Sequence, residues 1–339
     1  MSAQVPAITA VIPSLGVPGG EVTVLCRGFL PGLSPPSRVL FGDSAAGMVS
    51  ASSDKVIVRI PESPASLGLR LQVGDVESEV FPFSVAARIA GDLHPVTSPA
   101  VAPDGSIVTT VSGSRGQEVA QPIVRITRNG ERIPYSCEIM NPTGLAFGPD
   151  GQLYVSSRHE GVVYRFQDFE ELESFADDLG IACGLAFDSK GNLFVGDRGG
   201  RVFRVDSAGA REEFARLEPS IAAYHLATDR EDRLYVTAPS FSLRDRLYRV
   251  DQNGRVEVVW EGLARPQGMS VMADGGVLIA ASYQGKKGLF RFDPDRKTLT
   301  LLVSGPMLVG AAAHGDALIM ADGTSLYRLV TDGAGARPV

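Results

Sequence analysis

The side chains best suited to acid–base chemistry in this sequence are its four histidines, His94, His159, His225 and His314. No two of them stand at the short spacing at which neighbouring histidines bind one metal ion. His225 directly follows Tyr224, and an imidazole beside a phenol can move protons to and from a substrate. We therefore take His225, Tyr224 and His159 as candidate catalytic residues. The alternative is that His225 is a packed or hydrogen-bonded residue without a chemical role.

The three cysteines, Cys26, Cys137 and Cys183, lie far apart in the sequence. An odd number at such spacing predicts neither a disulfide framework nor a zinc site. We expect isolated thiols in strands or near the core.

The composition is that of a globular protein rich in short strands. Hydrophobic residues make up 44% of the 339 residues and charged residues 21%, which argues against general disorder. The 38 glycines and 22 prolines favour tight turns over long helices. A net charge of −7 without a cluster of Lys and Arg is unfavourable for nucleic-acid binding. No apolar run approaches the roughly 18–20 residues of a membrane-spanning helix.

Residues 1–10 lack the cationic segment and apolar core of a signal peptide. As it stands, the sequence predicts a cytoplasmic protein, or an exported or periplasmic one if a signal has been removed.

The first segment, residues 5–87, alternates strand-like runs with turns. Residues 21–26 alternate polar and apolar side chains, the pattern of a strand with one buried face. Further strands are predicted at residues 8–12, 38–41, 55–60, 67–73 and 79–85. Several short strands at this spacing favour a β-sandwich.

This segment resembles the IPT/TIG family of immunoglobulin-like domains. The matching motifs are Ile-Thr-Ala-Val-Ile-Pro at 8–13, Gly-Gly-Glu-Val-Thr-Val at 19–24, Gly-Phe at 28–29, Val-Leu-Phe-Gly at 39–42 and Phe-Pro-Phe-Ser-Val at 81–85. The resemblance implies a spacer or docking module. Some members of the family bind DNA through basic loops, but this segment has no basic cluster.

The second segment, residues 91–339, contains an internal repeat. The run Thr-Gly-Leu-Ala-Phe-Gly-Pro-Asp-Gly at 143–151 returns as Cys-Gly-Leu-Ala-Phe-Asp-Ser-Lys-Gly at 183–191 and as Gln-Gly-Met-Ser-Val-Met-Ala-Asp-Gly at 267–275. Weaker copies start at residues 97, 224 and 309. Each copy is followed by an apolar run with a central Arg, such as Val-Tyr-Arg-Phe at 163–166. A four-stranded unit of about 40–45 residues that recurs in this way indicates a β-propeller.

We therefore predict an all-β protein, with an N-terminal immunoglobulin-like β-sandwich followed by a six-bladed β-propeller. In each unit the first run forms the innermost strand, a Pro-Asp-Gly type of turn leads to the second strand, and the Arg of the third strand projects toward solvent. The last unit has a weak fourth strand after Val330. Residues 84–93 could supply this strand and close the ring.

The units resemble NHL repeats and the related gluconolactonase and regucalcin propellers. In the gluconolactonase-like enzymes, Glu, Asn and Asp side chains just before the repeat Gly hold a divalent cation, such as calcium, at the channel mouth. The corresponding positions here are Thr97, Thr143, Cys183, Tyr224, Gln267 and Val309. Because none is a carboxylate, the sequence predicts no metal and no cofactor, with a divalent cation such as calcium as the alternative. A lyase that acts on cyclic lactone antibiotics has a comparable propeller, but its specific spacing is absent.

The end of the propeller at which the innermost strands begin also carries the loops between second and third strands. We call this end the loop face and expect ligands there. Its expected cations are Arg115, Arg158, Arg198, Arg244, Arg246, Lys286 and Lys287, and its acids are Glu118, Glu160, Asp197, Asp245 and Asp322. A cationic rim could attract an anionic ligand, whereas the alternative is solvated charges with local partners. Asp104, Asp150 and Asp274 fall at the opposite turns, which Asp stabilises.

Two main functions follow. The first is a non-catalytic binding or scaffold protein that recognises a protein, a carbohydrate or an anionic ligand on its loop face. Its candidate ligand-binding residues are Thr97, Thr143, Cys183, Tyr224, His225, Gln267, Arg158 and Arg198. The alternative is a divergent gluconolactonase-like hydrolase or lyase that uses His225, Tyr224 and His159 at the channel mouth. A purely structural repeat module, without a concave pocket at this face, is the third hypothesis.

Overall fold

Alternating polar and apolar residues produce strands along the whole chain. In the computed structural model, which describes residues 5–32, 36–62, 68–112, 119–242 and 244–331, every regular element is a β-strand. The described ranges contain no helix long and apolar enough to cross a membrane. The all-β class predicted from the sequence is confirmed.

The N-terminal part of the chain folds into two four-stranded sheets. Its strands are β1 (Ala7–Ile12), β2 (Leu15–Gly16), β3 (Glu21–Arg27), β4 (Arg38–Phe41), β5 (Ser44–Ala45), β6 (Gly47–Ala51), β7 (Lys55–Arg59), β8 (Leu69–Val73), β9 (Val76–Glu77) and β10 (Ser84–Val85). One sheet has the order β1-β3-β7-β6 and the other the order β5-β4-β8-β9.

The two sheets pack together because each turns one apolar face inward. In β3, Val22, Val24 and Cys26 are buried and the residues between them are more exposed. Val22 and Val24 share a hydrophobic core with Phe41 and Leu71 of the other sheet. Burial of each such aliphatic side chain contributes about 1.5–3 kcal/mol.

Four of the strands predicted in this part agree with β1, β3, β4 and β7 to within a residue. The prediction missed β6, because Gly47–Ala51 is almost entirely exposed and shows no alternation. It was wrong for residues 79–83, where Pro82 lacks an N–H for sheet pairing. Leu67 lies outside the described residues.

The rest of the chain forms a series of four-stranded units. Its strands are β11 (Ala87–Ala90), β12 (Ala100–Val101), β13 (Ile107–Thr110), β14 (Ile123–Ile126), β15 (Arg132–Pro134), β16 (Pro142–Phe147), β17 (Leu153–Ser157), β18 (Val162–Phe166), β19 (Leu172–Ala176), β20 (Ala182–Phe187), β21 (Leu193–Asp197), β22 (Arg201–Val205), β23 (Arg211–Arg216), β24 (His225–Thr228), β25 (Leu234–Thr237), β26 (Asp245–Val250), β27 (Val256–Val271), β28 (Val277–Tyr283), β29 (Lys286–Asp293), β30 (Thr298–Ser304), β31 (Leu308–His314), β32 (Ala317–Asp322) and β33 (Leu326–Val330).

We number the units in chain order. Units 1, 2 and 3 are the antiparallel sheets β12–β15, β16–β19 and β20–β23. The long strand β27 is shared, since its first half is the outer strand of unit 4, after β24–β26, and its second half is the inner strand of unit 5, before β28–β30. Unit 6 comprises β31–β33 and β11.

Turn chemistry fixes the first hairpin of each unit, as unit 2 illustrates. Gly151 adopts a φ of 77°, which favours glycine. The Asp150 carboxylate accepts hydrogen bonds from the Gln152 N–H at 3.0 Å and from the Tyr154 hydroxyl at 2.9 Å. Asp150 therefore stabilises the turn that leads from β16 to β17.

Unit 6 takes its outer strand from the start of this part of the chain. β11 pairs antiparallel with β33, with Ala87 opposite Arg328 and Arg88 opposite Tyr327. The sequence predicted an outer strand within residues 84–93, but Ser84 and Val85 pair with β2 instead. Residues 332–339 lie outside the described residues.

The N-terminal part is joined to unit 5 by backbone pairing. β2 runs parallel to the end of β30, with Gly16 opposite Ser304, and the Val17 N–H donates to the Ser304 carbonyl at 2.8 Å. Val17 and Ala86 are buried in a core that also contains Val303 of β30.

In units 1 and 2 the Arg of the third strand, which the sequence predicts to project toward solvent, is partly exposed and pairs with a nearby acid. Arg125 forms an ion pair with the turn residue Asp104 at 2.8 Å. Arg165 pairs with Glu173 of the outer strand, and its guanidinium lies 5.6 Å from the centroid of the Phe175 ring. Asp104 lies in the turn, and Glu173 in the outer strand, next to the Arg of its unit. These contacts leave each Arg side chain only partly exposed.

Candidate functional site

The inner strands of all six units surround one cavity. Its volume is about 100 Å³. Its lining includes one residue near the start of each inner strand: Ser98, Gly144, Gly184, His225, Met269 and Ala311. The cavity therefore lies between the units, at the end of the molecule that we defined as the loop face.

Glycine at these positions lets neighbouring inner strands approach closely. A Cβ atom at Gly144 would collide with the carbonyl oxygen of Cys183, and one at Gly184 would collide with that of Tyr224. Unit 4 carries His225 at the same repeat position, and His225 lines the cavity. This single departure from the repeat places an imidazole at the centre of the units.

His225 is neutral at neutral pH. Burial lowers the pKa of its imidazole to about 4. Among the described residues none forms a hydrogen bond with its ring nitrogens. Because buried polar groups are normally hydrogen-bonded, water or a ligand group in the cavity would be their partner.

Tyr224 lines a different cavity. This second cavity, of about 50 Å³, lies between units 3 and 4, and Ser220, Arg244 and Tyr248 also line it. The Tyr224 hydroxyl donates to the backbone carbonyl of Glu218, and burial raises its pKa. Tyr224 and His225 are adjacent in sequence but line different cavities, as successive side chains of an extended segment point in opposite directions.

The side chains of Cys183 and Thr143 bond locally. The Cys183 thiol donates to the Ile181 carbonyl at 3.3 Å, and burial raises its pKa to about 11. The protonated thiol is a poor nucleophile and metal ligand. The Thr143 hydroxyl donates to the Asn141 carbonyl at 3.1 Å.

The other predicted site residues are dispersed. Thr97 is buried and lines the central cavity. Val309 packs against a core shared by units 1 and 6, and Gln267 is half-buried outside the cavity lining. His159 is exposed on the loop after β17 and lines neither cavity, so the structure does not bring it into a cavity with His225.

The acids of the loop face stabilise its loops. Asp197 accepts hydrogen bonds from the Gly199 N–H at 3.0 Å and from Arg201 Nε at 2.8 Å. Asp245 accepts the Ser240 N–H of its own loop and the Arg265 N–H of β27, and Asp322 accepts the N–H groups of Thr324 and Ser325 in its own loop.

The residues before the repeat Gly do not fit the divalent cation that the resemblance to gluconolactonases implies. The six positions before the repeat Gly supply no carboxylate, and hard cations need several oxygen ligands. The described part of the chain has no group of three or more His, Cys, Asp and Glu side chains that could hold a metal ion.

Arg158 and Arg198 converge on the rim between units 2 and 3. Both are exposed, and both act electrostatically on the Cys183 thiol by favouring its ionised form. Arg198 Nε donates to the Ser220 carbonyl at 3.2 Å, and Arg158 reaches Asn141 Oδ1 at 3.5 Å. Neither cation has an acidic partner within the described ranges. The expected rim residues Arg115 and Glu118 lie outside those ranges.

Further cations continue this rim over units 4 and 5. Arg246 is neutralised by Glu218 and Glu261. Exposed cations without an acidic partner in the described part of the chain are Arg244, Arg265, Lys286 and Lys287. Sequence analysis missed Arg265, because it lies in the middle of the long strand β27, where unit 4 passes into unit 5.

Exposed apolar side chains lie on the same face. Among the described residues from 87 onward, the large exposed hydrophobic residues at the loop face are Val96, Met140, Ile181, Ile221, Phe241 and Met307. Two others, Val258 and Val330, lie within strands β27 and β33. Sequence analysis missed these residues, although an apolar residue in the loop before an inner strand was a visible signal.

No protein family model matches the sequence, and a search of curated proteins found no match. Solved structures match the fold. An auxiliary nutrient binding protein from Bacteroides ovatus ATCC 8483 has 14% sequence identity and a TM-score of 0.55, and the match covers 96% of this chain and 97% of that protein.

Two further matches are enzymes by their descriptions. A putative gluconolactonase has 16% identity and a TM-score of 0.59 over 73% of this chain and 92% of its own. A catalytically inactive virginiamycin B lyase from Staphylococcus aureus, with quinupristin, has 14% identity and a TM-score of 0.54 over 84% of this chain and 94% of its own. The chain therefore shares a β-propeller fold with these proteins.

Proposed function

We propose that this chain is a non-catalytic binding protein with an immunoglobulin-like N-terminal module of the IPT/TIG kind and a six-bladed propeller of NHL-type units. The ligand is anionic and binds on the loop face without a metal ion or cofactor. The boundary between the two parts lies at about residue 86, because β11 belongs to unit 6.

The cations of the loop face carry this proposal. The whole chain has a net charge of −7, yet Arg198, Arg244 and Arg265 are exposed there without an acidic partner among the described residues. A local cationic field on an acidic protein attracts an anion while the rest of the surface repels it.

The size of the central cavity favours a ligand that binds on the rim. Cavities that enclose a small-molecule ligand measure roughly 300–1,000 Å³, whereas this one measures about 100 Å³. A ligand larger than a few atoms must therefore contact the loops.

The fold matches also favour binding over catalysis. The match to an auxiliary nutrient binding protein covers 96% of this chain, and so both of its parts. The putative gluconolactonase covers 73% of it.

Heparin, a sulfated carbohydrate, provides a direct test. We expect the wild-type chain to bind a heparin column, and the double variant Arg198→Glu/Arg244→Glu to elute at clearly lower salt. The matched control, Lys190→Glu/Arg230→Glu, reverses two exposed cations at the opposite turns and should elute like the wild type. Equal elution of all three proteins would contradict an anion site on the loop face.

The second candidate is a divergent hydrolase or lyase, and His225 is the observation in its favour. A neutral imidazole without a hydrogen-bond partner among the described residues faces the central cavity, where it could accept a proton. Turnover of a lactone that is lost in His225→Ala would establish this activity. Tight binding of calcium, manganese or zinc in calorimetry would also support it and contradict the metal-free proposal.

A further inference from the structure

We propose that the loop face of units 3 to 5 is a docking site for an acidic protein segment that carries apolar side chains. This inference rests on the proposed function and narrows its ligand to one chemical class.

Phe241 is the centre of the site. Its side chain is 93% exposed, on the loop between β25 and β26. Ile221, which is 40% exposed, lies on the connection between units 3 and 4, and its N–H donates to the carbonyl of Pro239 in the Phe241 loop at 3.1 Å. Ile181 lies on the connection before unit 3, and its carbonyl accepts the Arg198 N–H at 3.1 Å. Clustered apolar side chains on the surface of a soluble protein mark an interaction site more often than isolated ones do.

The unpaired exposed charges around Phe241 have one sign, since Glu218 and Glu261 are paired with Arg246. Unpaired cations run from Arg198 of unit 3 through Arg244 and Arg265 to Lys286 and Lys287 of unit 5. The exposed acids on the loop face without a cation partner, within the described ranges, lie on units 6, 1 and 2 and on the connection after unit 2: Asp92, Glu138, Glu160 and Asp177. Asp245 of unit 4 is buried, and its carboxylate accepts hydrogen bonds from the N–H groups of Ser240 and Arg265. A segment that carries carboxylates is therefore attracted to units 3 to 5 and repelled from the other side.

A polar recess adjoins the Phe241 loop. The second cavity, of about 50 Å³, is lined by Ser220, Ser240, Arg244 and Tyr248, and also by the ion pair of Arg246 with Glu218. Ser240 directly precedes Phe241, and Arg244 follows it three residues later. A carboxylate side chain fits a recess of this size and can accept hydrogen bonds from the Arg244 guanidinium.

The mixture of side chains favours a protein segment over a carbohydrate or a lipid surface. Phe241 is the only strongly exposed aromatic ring in the described residues, whereas carbohydrate binding relies on stacking against aromatic rings and on polar networks. A lipid surface requires several protruding apolar side chains, but Ile181 and Ile221 are less than half exposed beside a concave channel mouth. An apolar side chain of a docked segment can fill that concavity.

The test uses the full chain and a phage-displayed library of short random peptides. Enriched peptides are synthesised with a fluorophore, and their Kd values are measured by fluorescence anisotropy for the wild type, Phe241→Ser and Arg244→Glu. The matched controls are Val258→Ser, an exposed apolar residue on β27, and Arg230→Glu at the opposite end. All four positions are exposed, and thermal melting verifies that each variant is folded.

We expect the enriched peptides to combine Asp or Glu with Leu or Phe. Their Kd should rise about tenfold or more in Phe241→Ser and in Arg244→Glu, and should stay unchanged in both controls. Neutral or basic peptides that still depend on Phe241 would overturn this inference and leave the loop face as a binding site. Peptides insensitive to all four substitutions would overturn this inference, whereas the heparin experiment decides separately on the anion site of the proposed function. Failure to enrich any peptide, with Phe241-dependent binding to phosphatidylserine vesicles, would assign the face to a lipid surface and overturn the inference.

Discussion

His225 brings an ionisable ring into a cavity whose other lining residues are glycine, apolar or hydroxyl side chains. Burial holds its pKa at about 4, compared with an ordinary value of 6.5. Between pH 4 and pH 6.5, the His225 imidazole binds a proton in the unfolded chain but stays neutral in the folded chain. The contribution of His225 to stability is therefore fully present above pH 6.5 and is lost as the pH falls toward 4.

We predict that this linkage is measurable in the free energy of unfolding. Protonation of His225 in the unfolded chain should lower the free energy of unfolding of the wild type by about 2 kcal/mol between pH 7 and pH 5. The variant His225→Gln should not show this decrease. Urea unfolding followed by fluorescence of Trp260, the single tryptophan, measures it. His159→Gln, at an exposed histidine, is the control and should titrate like the wild type. An identical pH dependence in His225→Gln and wild type would show that the imidazole is not held neutral.

The Arg in the third strand of each unit gives a second prediction at the level of single residues. Arg165 pairs with Glu173 and lies over Phe175. Both its aliphatic stem and its charge therefore contribute to the stability of the fold. We predict that Arg165→Ala lowers the free energy of unfolding by about 1–2 kcal/mol, and that Arg165→Met loses less. Arg328, at the same repeat position in unit 6, is exposed and has no acidic partner in the described part of the chain. Urea unfolding of Arg328→Ala should show little change, and equal losses at both sites would contradict the packing argument.

How much of the site the sequence could predict depends on what the repeat encodes. The position of His225 at the central cavity was predictable, because the repeat aligns His225 with Gly144 and Gly184 of the inner strands. The separation of Tyr224 from His225 follows from the opposite directions of successive side chains in a strand, a rule that our sequence analysis did not apply to this pair. The exposure of Phe241 and Ile221 also escaped the sequence pattern, since exposure depends on which neighbouring loops cover a residue.

At the element scale, strand order was predictable wherever local turns join consecutive strands. Within units 2 and 3, the Asp-containing turns and the apolar runs fix each hairpin. The non-local pairings were harder to predict. β2 contains two residues and pairs with β30 from the far end of the chain, and nothing in a two-residue run identifies such a partner.

The closing strand β11 gives a prediction at this scale. Fragments 86–339 and 91–339 both lack the N-terminal sheets, but only the first retains Ala87–Ala90. We expect 91–339 to melt about 4–8 °C lower, since it loses about 2 kcal/mol of strand pairing and burial. Because the edge of β33 is exposed without β11, fragment 91–339 should also aggregate more readily than fragment 86–339. Calorimetry of the two fragments measures the difference, and equal melting temperatures would show that β11 does not stabilise unit 6.

At the scale of the whole molecule, the N-terminal part borders the cationic end of the loop face. Its contact with β30 reaches Ser304, and the next residue, Gly305, donates its N–H to the Lys287 carbonyl at 3.3 Å. Val17 and Ala86 bury apolar surface in the same core as Val303. The two parts therefore form a continuous structure in which the N-terminal sheets stand beside unit 5.

Gly20 tests this arrangement, because it lies against unit 5 with no space for a side chain. A Cβ atom there would lie 2.7 Å from the carbonyl carbon and oxygen of Ser304, and backbone atoms cannot move aside as a flexible side chain can. We predict that Gly20→Val separates the N-terminal part from unit 5, so that the radius of gyration in small-angle X-ray scattering increases and thermal unfolding divides into two transitions. Gly47→Ala is the matched control in the same sheets, since its Cβ would lie 3.8 Å from the Arg59 Cβ, an ordinary contact. If Gly20→Val scatters and melts like the wild type, the pairing of β2 with β30 does not hold the two parts together, and the N-terminal sheets do not border the proposed docking site.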